Sequence, residues 1–344
     1  MSSPSSPSLP SSPSLWPVFT GSGRPHDGIA ALPPPPPWRA FNGGPVLEPP
    51  RHDEDPDAVS PDRVHRARTY RATEKAVQLV NAALYLRRPL LVTGPPGSGK
   101  SSLAYAVARE LRLGPVLRWN ITSRTTLGDG LYQYDALSRL YAAGREPRDG
   151  DIADHLRLGP LGTALLPYER PRVLLIDEID KGDLDLPNDL LNVLEEGQYE
   201  IPELVRVARS HTTAGLMTAD AQDRAEVRGG RVRCRAFPFT VLTSNGEREF
   251  PPAFLRRCVT LQLRQPAAEE LEDIVRAHLG ELDGDARRLI RMFLGRGSDG
   301  ELATDQLLNA IYLTRTSGLD AASREELAES LMPYLSRSTD PDEF

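Results

Sequence analysis

The sequence predicts an α/β fold with parallel strands, and three apolar runs are the basis of this prediction. The first, residues 90–93, leads directly into glycine and is followed by a stretch with helical spacing through Leu103 and Val107. The second, residues 171–178, ends in two acids, which is typical of a buried central strand of a parallel sheet. The third, residues 239–245, is a strand-like run that ends in asparagine.

The composition describes a soluble globular protein and limits its partners. The 344 residues suffice for one sizeable core or two modest ones, with 26% charged and 39% hydrophobic residues. The formal net charge of −7 argues against a surface that tracks nucleic acid as a whole, although a local basic patch is compatible with it. No apolar run reaches the length of a membrane span and no signal peptide is recognisable, so we expect a cytoplasmic protein without a membrane partner. Cys234 and Cys258 show no ligand spacing, so we expect reduced thiols rather than a zinc site.

Residues 1–60 form a segment of unusual composition. They hold much of the 32 prolines of the chain, in Ser-Pro clusters and in the run of residues 33–37. Such a segment cannot bury enough apolar surface to offset its ordering entropy, so we predict a disordered or polyproline arm. The alternative is a docking strap, because four aromatic residues interrupt the segment: Trp16, Phe19, Trp38 and Phe41.

A glycine-rich turn between the first strand and its helix matches the phosphate-binding pattern G-x-x-x-x-G-K-[ST] in full. The predicted ATP-binding residues are Gly94, Pro95, Pro96, Gly97, Ser98, Gly99, Lys100 and Ser101. The glycines allow conformations that turn consecutive N–H groups towards phosphate oxygens at a helix N-terminus. Lys100 is expected to reach the β- and γ-phosphates, and Ser101 to supply a hydroxyl ligand to Mg²⁺. The alternative, a glycine-rich turn without a ligand, is disfavoured by the motifs downstream.

The second apolar run ends in the acids Asp177 and Glu178, as a Walker B strand does. We predict that Asp177 binds Mg²⁺, usually through water, and belongs to the ATP-binding residues. We predict that Glu178 orients and deprotonates the attacking water, because in phosphoryl transfer the protein mainly positions groups and neutralises developing charge. The alternative is a strand-end turn followed by a helix cap, in a neighbourhood that is acidic anyway.

Two further candidate catalytic sites lie at the end of the third run and shortly after it. Asn245 has an amide that can reach a γ-phosphate or the attacking water, although asparagine also ends strands because it tolerates turn geometry. Arg256 and Arg257 lie at the end of a short predicted helix. At a subunit boundary one of them can enter the neighbouring site as an arginine finger, with Arg257 preferred. The alternative is an interaction of these cations with the helix C-terminus.

Taken in order, these motifs resemble the AAA+ ATPases, and more closely their MoxR-like branch. The matching phrases are residues 94–101, 175–181, 243–245 and 250–257, and the resemblance covers about residues 65–320. It implies a P-loop αβα sandwich with a central five-stranded parallel sheet, followed by a C-terminal α-helical lid domain. It further implies hexameric rings with ATP sites shared between subunits. The implied task is the remodelling of a protein client, often one with a von Willebrand factor A domain.

The resemblance also suggests how the chain is divided. The Pro/Ser-rich arm of residues 1–60 precedes a nucleotide-binding core, residues 61–265, and a helical lid, residues 266–335. Residues 336–344 are a tail.

The predicted lid departs from the family pattern in one respect. Residues 301–308 contain no arginine or lysine that could act as the second sensor near the start of a lid helix. Either Arg296 or Arg315 replaces it from nearby, or the coupling of lid motion to hydrolysis is weakened.

Two inserts interrupt the core, near residues 120–167 and 198–238. In the second, residues 198–207 and 231–239 are predicted to pair as an extended hairpin, which the resemblance places at the interior of the ring. This insert either contacts an acidic client or nucleic acid, or is a solvated hairpin. Its arginines are Arg206, Arg209, Arg224, Arg228, Arg231, Arg233 and Arg235.

The first insert contains the glycines of residues 159–162. By resemblance these residues form a flexible loop beside the pore of the ring. A plain surface excursion is the alternative.

Three functions are compatible with these motifs. The leading hypothesis is a Mg²⁺-dependent ATPase that forms a homo-oligomeric ring and remodels or assembles a partner protein. The second is a slow, nucleotide-gated switch or scaffold, which the missing lid cation favours. The third is a nucleic-acid motor related to the McrB-like ATPases; the acidic net charge weighs against it.

Overall fold

The computed structural model of this chain describes residues 16–50, 60–143, 152–209, 212–220, 224–296, 300–317, 321–333 and 336–337. The helices are α1 (Pro61–Thr69), α2 (Glu74–Leu86), α3 (Lys100–Glu110), α4 (Leu127–Leu131), α5 (Ala136–Ala143), α6 (Pro160–Ala164), α7 (Leu186–Glu196), α8 (Pro202–Val207), α9 (Pro252–Leu255), α10 (Ala268–Leu279), α11 (Gly284–Arg296), α12 (Thr304–Thr316) and α13 (Ala321–Leu331). The strands are β1 (Leu90–Thr93), β2 (Leu117–Asn120), β3 (Tyr132–Tyr134), β4 (Leu156–Leu158), β5 (Val173–Asp177), β6 (Gln198–Glu200), β7 (Thr213–Met217), β8 (Arg224–Arg228), β9 (Arg231–Arg233), β10 (Phe239–Ser244), β11 (Val259–Gln262), β12 (Gly300–Glu301) and β13 (Ser336–Arg337). Within these ranges, no helix combines the length and the apolar character that crossing a lipid bilayer requires.

The central sheet is parallel and has the strand order β11-β1-β10-β5-β2. This confirms the α/β fold with a five-stranded parallel sheet and C-terminal helices. Strand β10 lies between β1 and β5, so the three apolar runs of the sequence lie side by side. Thr93 is in register with Ser244, and Asn120 with Asp177. The loops that carry the predicted site residues 94–101, 177–178 and 245 therefore leave the same edge of the sheet.

Two apolar cores cover the two faces of this sheet. Every residue of β5 is buried, and successive side chains point to opposite faces. Leu175 belongs to the core that also holds Leu103 of α3. Ile176 belongs to the other core, which holds Leu161 of α6 and Leu190 of α7. Burial on both faces explains why the strands are continuous apolar runs.

The inserts form a second sheet with the order β3-β4-β7-β8-β9-β6. The predicted pairing of residues 198–207 with 231–239 is confirmed for three residue pairs, from Gln198 with Arg233 to Glu200 with Arg231. It is wrong beyond them, because the chain turns into α8 at Pro202. Proline is favourable at the first position of a helix and cannot donate to a strand ladder.

The flexible loop predicted for residues 159–162 is also wrong. Gly159 precedes α6, and its amide donates to the carbonyl oxygen of Leu131 at 2.9 Å. Leu161 is fully buried. A Cβ at Gly162 would lie 1.9 Å from the oxygen of Leu131, so the two backbones approach too closely for any other residue. These glycines allow α6 to pack closely against Leu131. The sequence alone does not distinguish glycines with this role from glycines in a flexible loop.

The disordered arm predicted for residues 1–60 is wrong for residues 16–50, which pack against the core as an N-terminal strap. Val18 and Phe19 are buried, and the side-chain oxygen of Asn81 accepts hydrogen bonds from their amides at 2.7 and 2.9 Å. Composition did not show this, because a few buried apolar residues with matched polar partners can anchor an otherwise polar segment. Residues 1–15 and 51–59 lie outside the described residues.

Charged side chains hold the strap at two further places. Glu110 is fully buried at the end of α3 and accepts hydrogen bonds from the amides of Thr20 and Gly23 at 2.6 and 2.8 Å. Arg39, also buried, donates to the carbonyl oxygens of Arg87 and Leu194 at 2.8 and 3.0 Å. The strap is thereby fixed to α3, α7 and the end of α2.

Helices α10 to α13, in the predicted lid, pack around an apolar core of their own. Leu271, Phe293, Leu307 and Ala328 are fully buried in it, one from each helix. Residues 300–301 pair with 336–337 as β12 and β13, so the start of the predicted tail, residues 336–344, is paired with the lid. Residues 338–344 lie outside the described residues.

Candidate active site

The loop between β1 and α3 has the backbone that its glycines allow. Gly94, Gly97 and Gly99 have φ angles of 153°, 73° and 84°, a region that residues with a Cβ rarely adopt. Lys100 begins α3, and its Nζ donates to the carbonyl oxygens of Gly94 and Pro95 at 2.8 Å each. Its ammonium group therefore lies over the loop at the N-terminus of α3, where anions are favoured.

Asp177 accepts hydrogen bonds on both carboxylate oxygens. Oδ1 accepts from the hydroxyls of Ser101 and Thr243, each at 2.7 Å, and Oδ2 accepts from Arg118 Nη2 at 2.8 Å. Burial opposes the ionisation of this carboxyl, but the bonds from Ser101, Thr243 and Arg118 outweigh it and lower the pKa of Asp177 below its ordinary value. Asp177 is therefore an ionised group that joins α3, β10 and β2 at the edge of the sheet.

Glu178 has a backbone conformation that is rare for a residue with a side chain. Its φ is 62°, and its amide donates to the hydroxyl of Thr243 at 2.9 Å. One threonine hydroxyl thus bonds both predicted acids. The carboxylate of Glu178 is about half exposed and accepts from Lys181 Nζ at 3.0 Å. This bond is the main cause that raises the pKa of Lys181.

Asn245 is held through its backbone by Asp180. The amides of Asn245 and Glu247 donate to Asp180 Oδ2 at 2.9 and 3.3 Å. Asp180 is buried, and its Oδ1 has no hydrogen-bond partner among the described residues. The short segment after β5 therefore positions the loop after β10, so that Glu178 and Asn245 belong to one connected edge.

Arg256 and Arg257 lie at the opposite end of the sheet. They follow α9 and precede β11, whose first residue, Val259, is in register with Leu90 at the start of β1. Arg257 Nη1 donates to the carbonyl oxygen of Ala253 at 3.2 Å. A strand of four residues rises about 10 Å, so the structure does not bring these arginines to the P-loop of their own chain.

The lid touches the phosphate loop through the start of α12. A Cβ at Gly97 would lie 2.6 Å from the backbone nitrogen of Thr304. Arg315, a candidate second sensor, donates instead to Asp283 Oδ2 at 2.9 Å and to the carbonyl oxygen of Leu279 at 3.2 Å, both within the lid. Arg296 ends α11. Together with a bond to the carbonyl oxygen of Glu281, these contacts direct Arg315 into the lid and not to the phosphate loop.

The structure adds site residues that sequence reasoning missed. Arg118 and Thr243 bond Asp177, Asp180 holds the loop after β10, and the ring of Tyr70 would lie 3.2 Å from a Cβ at Gly99. Thr243 and Asp180 belong to the matching phrases 243–245 and 175–181, but the sequence did not show which groups their side chains bond. The only indication of Arg118 in the sequence was weak. It lies in a strand of alternating apolar and polar residues, and this pattern predicts a side chain that faces solvent.

The residues at this edge fit a magnesium nucleotide. The hydroxyl of Ser101 and the ionised carboxylate of Asp177 are oxygen donors of the kind that Mg²⁺ prefers. The hydroxyl of Ser98 is buried in the loop without a hydrogen-bond partner in the described part of the chain, and a phosphate oxygen bound in the loop would supply one. Lys100 and the positive-φ glycines supply the remaining features of a phosphate cradle.

Comparison with known proteins defines the class of this core. Residues 89–258 match the family model described as "AAA domain (dynein-related subfamily)". This segment is an AAA domain, and AAA domains are P-loop ATPase domains that bind and hydrolyse ATP. The dynein-related subfamily is the particular group to which the match assigns it. Among curated proteins, none shows significant sequence similarity to the chain.

Two solved structures of NtrX from Brucella abortus are similar to the chain. The one in complex with ADP is 18% identical, with a TM-score of 0.41, and the match covers 79% of this chain and 58% of NtrX. The other is 17% identical, with a TM-score of 0.40, and the match covers 74% of this chain and 53% of NtrX. The chain therefore spans little more than half the length of these NtrX chains.

Proposed function

We propose that this chain is a Mg²⁺-dependent, MoxR-like ATPase that assembles into a ring and remodels or assembles a partner protein. The main observation is the connected edge around Asp177, where Ser101 of α3 and Thr243 of β10 bond the same carboxylate oxygen. This arrangement connects the phosphate loop, the predicted Walker B strand β5 and strand β10, which Asn245 follows.

The chain's own residues divide the work of hydrolysis. Lys100 and the loop amides bind the phosphates, Ser101 and Asp177 hold Mg²⁺, and the bound ion supplies charge neutralisation at the phosphates. Glu178 accepts the proton of the attacking water after its carboxylate leaves Lys181, and Asn245 orients that water. The purified chain should hydrolyse ATP with Mg²⁺ and not with EDTA, and Lys100→Ala should remove nucleotide binding. Equal hydrolysis by Lys100→Ala would overturn the proposal.

The ring is supported by the position of the two arginines. Both lie far from the P-loop of their own chain, and Arg257 is 38% exposed and meets Glu195 Oε1 only at 3.7 Å. A cation in this position can complete the site of a neighbouring subunit. We propose a hexamer on the family resemblance, with Arg257 as the finger and Arg256 beside it. Mass photometry of Glu178→Gln with ATP tests it, since a monomer at all concentrations would contradict a ring.

A protein client, possibly one with a von Willebrand factor A domain, is the proposed partner. The insert helix α5 exposes Leu137, Leu140 and Tyr141, which are 67 to 72% exposed and spaced for one helix face. Exposed apolar side chains of this size suit a protein contact. Affinity capture with Glu178→Gln in ATP tests this proposal, with Lys100→Ala as the control that should retain nothing.

A slow switch is the second candidate function. It is favoured by the contact of Thr304, rather than a cation, with the phosphate loop and by the engagement of Arg315 inside the lid. Turnover per site, measured with and without candidate partners, separates the candidates, because brisk basal hydrolysis excludes a pure switch.

A nucleic-acid motor is the third candidate and the one with least support. Arginines of the basic insert have acidic partners: Arg224 pairs with Asp154 at 3.3 Å, and Arg231 with Glu200 at 2.9 Å. Arg228 pairs with Glu226. These pairs reduce the positive field that phosphate binding needs. An ATPase rate that does not respond to DNA or RNA at low salt removes this candidate.

A further inference from the structure

Arg118 lies inside the proposed magnesium site, although it belongs to neither the phosphate-loop motif nor the Walker B motif. In strand β2 the side chains of Leu117 and Trp119 are buried, whereas Arg118 and Asn120 point to the other face. Arg118 is in register with Leu175, two residues before Asp177, so Arg118 and Asp177 share one face of the sheet. Leu175 belongs to the core under α3, which places Arg118 on the side of the phosphate loop.

The guanidinium of Arg118 donates to the oxygen of the Asp177 carboxylate that the hydroxyls of Ser101 and Thr243 do not bond. Ser101 and Thr243 both donate to Asp177 Oδ1, and Arg118 Nη2 donates to Oδ2 at 2.8 Å. The Asp177 side chain is 9% exposed and the Arg118 side chain 36% exposed. Asp177 is therefore fixed in place, while Arg118 has room to turn towards solvent.

We propose that Arg118 is an internal counter-cation of Asp177 that leaves Oδ2 when Mg²⁺ binds, and so sets the Mg²⁺ concentration at which the site fills. A guanidinium and a divalent cation repel each other and cannot both stay close to one carboxylate oxygen without a cost. Before the metal binds, Arg118 neutralises a carboxylate that would otherwise face the phosphates. The inference rests on the magnesium-nucleotide binding proposed above.

An arginine that only stabilises the fold leads to a different expectation. Its loss would lower the melting temperature and leave the Mg²⁺ dependence of nucleotide binding unchanged. An internal counter-cation predicts that its loss shifts this dependence, since the metal no longer displaces a bonded guanidinium.

The test is a Mg²⁺ titration of nucleotide binding to the full chain, followed with a fluorescent N-methylanthraniloyl derivative of ADP. A charge-assisted hydrogen bond to a largely buried carboxylate corresponds to roughly a tenfold change in the Mg²⁺ midpoint. Arg118→Gln should therefore reach half-saturation at about one tenth of the wild-type Mg²⁺ concentration, and it should bind the probe more weakly in EDTA. Arg118→Lys, which keeps the charge, should lie close to the wild type.

The matched control is Arg228→Gln, which removes an exposed arginine of the second sheet and should leave the midpoint unchanged. An unchanged midpoint in a folded Arg118→Gln that still binds the probe would overturn the role of Arg118 and leave the proposed ATPase intact. If Arg118→Gln does not fold, Arg118→Met is measured against the same criterion. If the wild type shows no Mg²⁺-dependent binding, the proposed function fails and the role of Arg118 fails with it.

Discussion

The two ends of the parallel sheet differ in how completely their charges are paired. At the carboxyl ends, Asp177 accepts bonds from Ser101, Thr243 and Arg118 and is nearly buried. At the amino ends, Arg257 is more than a third exposed and meets its nearest acid at 3.7 Å. At the first end, these partners of Asp177 all belong to its own chain. The second presents the exposed cation of Arg257, and we base the proposal of a site shared between two subunits on this difference.

The largest expected effect is at the exposed end. Arg257→Ala should lower the turnover number about 10³-fold, because a finger neutralises charge that develops only in the transition state. Nucleotide affinity should change little, since Arg257 does not touch its own phosphate loop. Steady-state kinetics and fluorescent-ADP binding measure the two quantities. Arg228→Ala is the control. If Arg257→Ala turns over ATP as fast as this control, Arg257 is not a finger and the proposed difference between the two ends of the sheet has no catalytic meaning.

The next effect concerns the acid beside Asp177. Glu178→Gln should keep ATP binding and lose turnover about 10²-fold, because an amide cannot accept the proton of the attacking water. Single-turnover hydrolysis measures the loss separately from binding. The control is Glu226→Gln, an exposed acid of β8 that should behave as the wild type. Near-normal hydrolysis in Glu178→Gln would refute the assignment of the base.

A smaller effect tests how tightly the carboxyl end is connected. Thr243→Val conserves the side-chain shape but removes the hydroxyl that donates to Asp177 and accepts from the amide of Glu178. The buried groups left unpaired should lower the free energy of unfolding by about 2 kcal/mol in chemical denaturation. Thr240→Val is matched, because the hydroxyl of Thr240 donates to the carbonyl oxygen of Pro238 at 3.3 Å and, within the described residues, to no other group. Equal losses in the two variants would show that the Thr243 hydroxyl has no special role.

The smallest effect is a pH dependence where the lid meets α1. His278 Nδ1 lies 3.0 Å from His65 Nε2, and burial, with His65 and Arg71 nearby, lowers the pKa of His278 to about 4. As the pH falls, His278 is therefore protonated first in the unfolded chain. The buried, neutral His278 contributes fully to the free energy of unfolding above about pH 6.5, and this contribution is lost as the pH falls towards 4. Melting temperatures at pH 7 and pH 5 should differ less in His278→Gln than in the wild type. The same difference in both would contradict this origin.

The sequence predicted those parts of the fold and site in which neighbouring residues carry the information. The apolar runs of β1, β5 and β10 and the glycines of the phosphate loop specify their conformations locally, and the structure has the predicted strand, loop and helix. Asp177 ends β5 and Asn245 directly follows β10, so both lie at the strand ends where the sequence predicts them. Their predicted roles stay predictions.

The missed contacts join residues that are distant in the chain. Arg118 meets Asp177 only because β2 pairs with β5, and 59 residues separate the two side chains. Asn81 is bonded to an amide 63 residues away, so the aromatic residues of residues 16–50 indicate a docking strap but not the place where it docks. Glycine is required at position 162 because the carbonyl oxygen of Leu131, on another helix, approaches its backbone closely. In the sequence, a glycine required for such close packing cannot be distinguished from a glycine in a flexible loop.

Mixing two inactive variants tests the shared site most directly. Arg257→Ala keeps an intact phosphate loop, and Lys100→Ala keeps an intact finger, so a neighbouring pair of the two contains one complete site. At a ratio of one to one, random assembly should place a complete site at about a quarter of the interfaces, and turnover should return accordingly. Mixing Lys100→Ala with Glu178→Gln should restore nothing, because both changes affect the same half of the site. Turnover that stays absent in every Arg257→Ala and Lys100→Ala mixture, although the two variants co-assemble, would contradict the account.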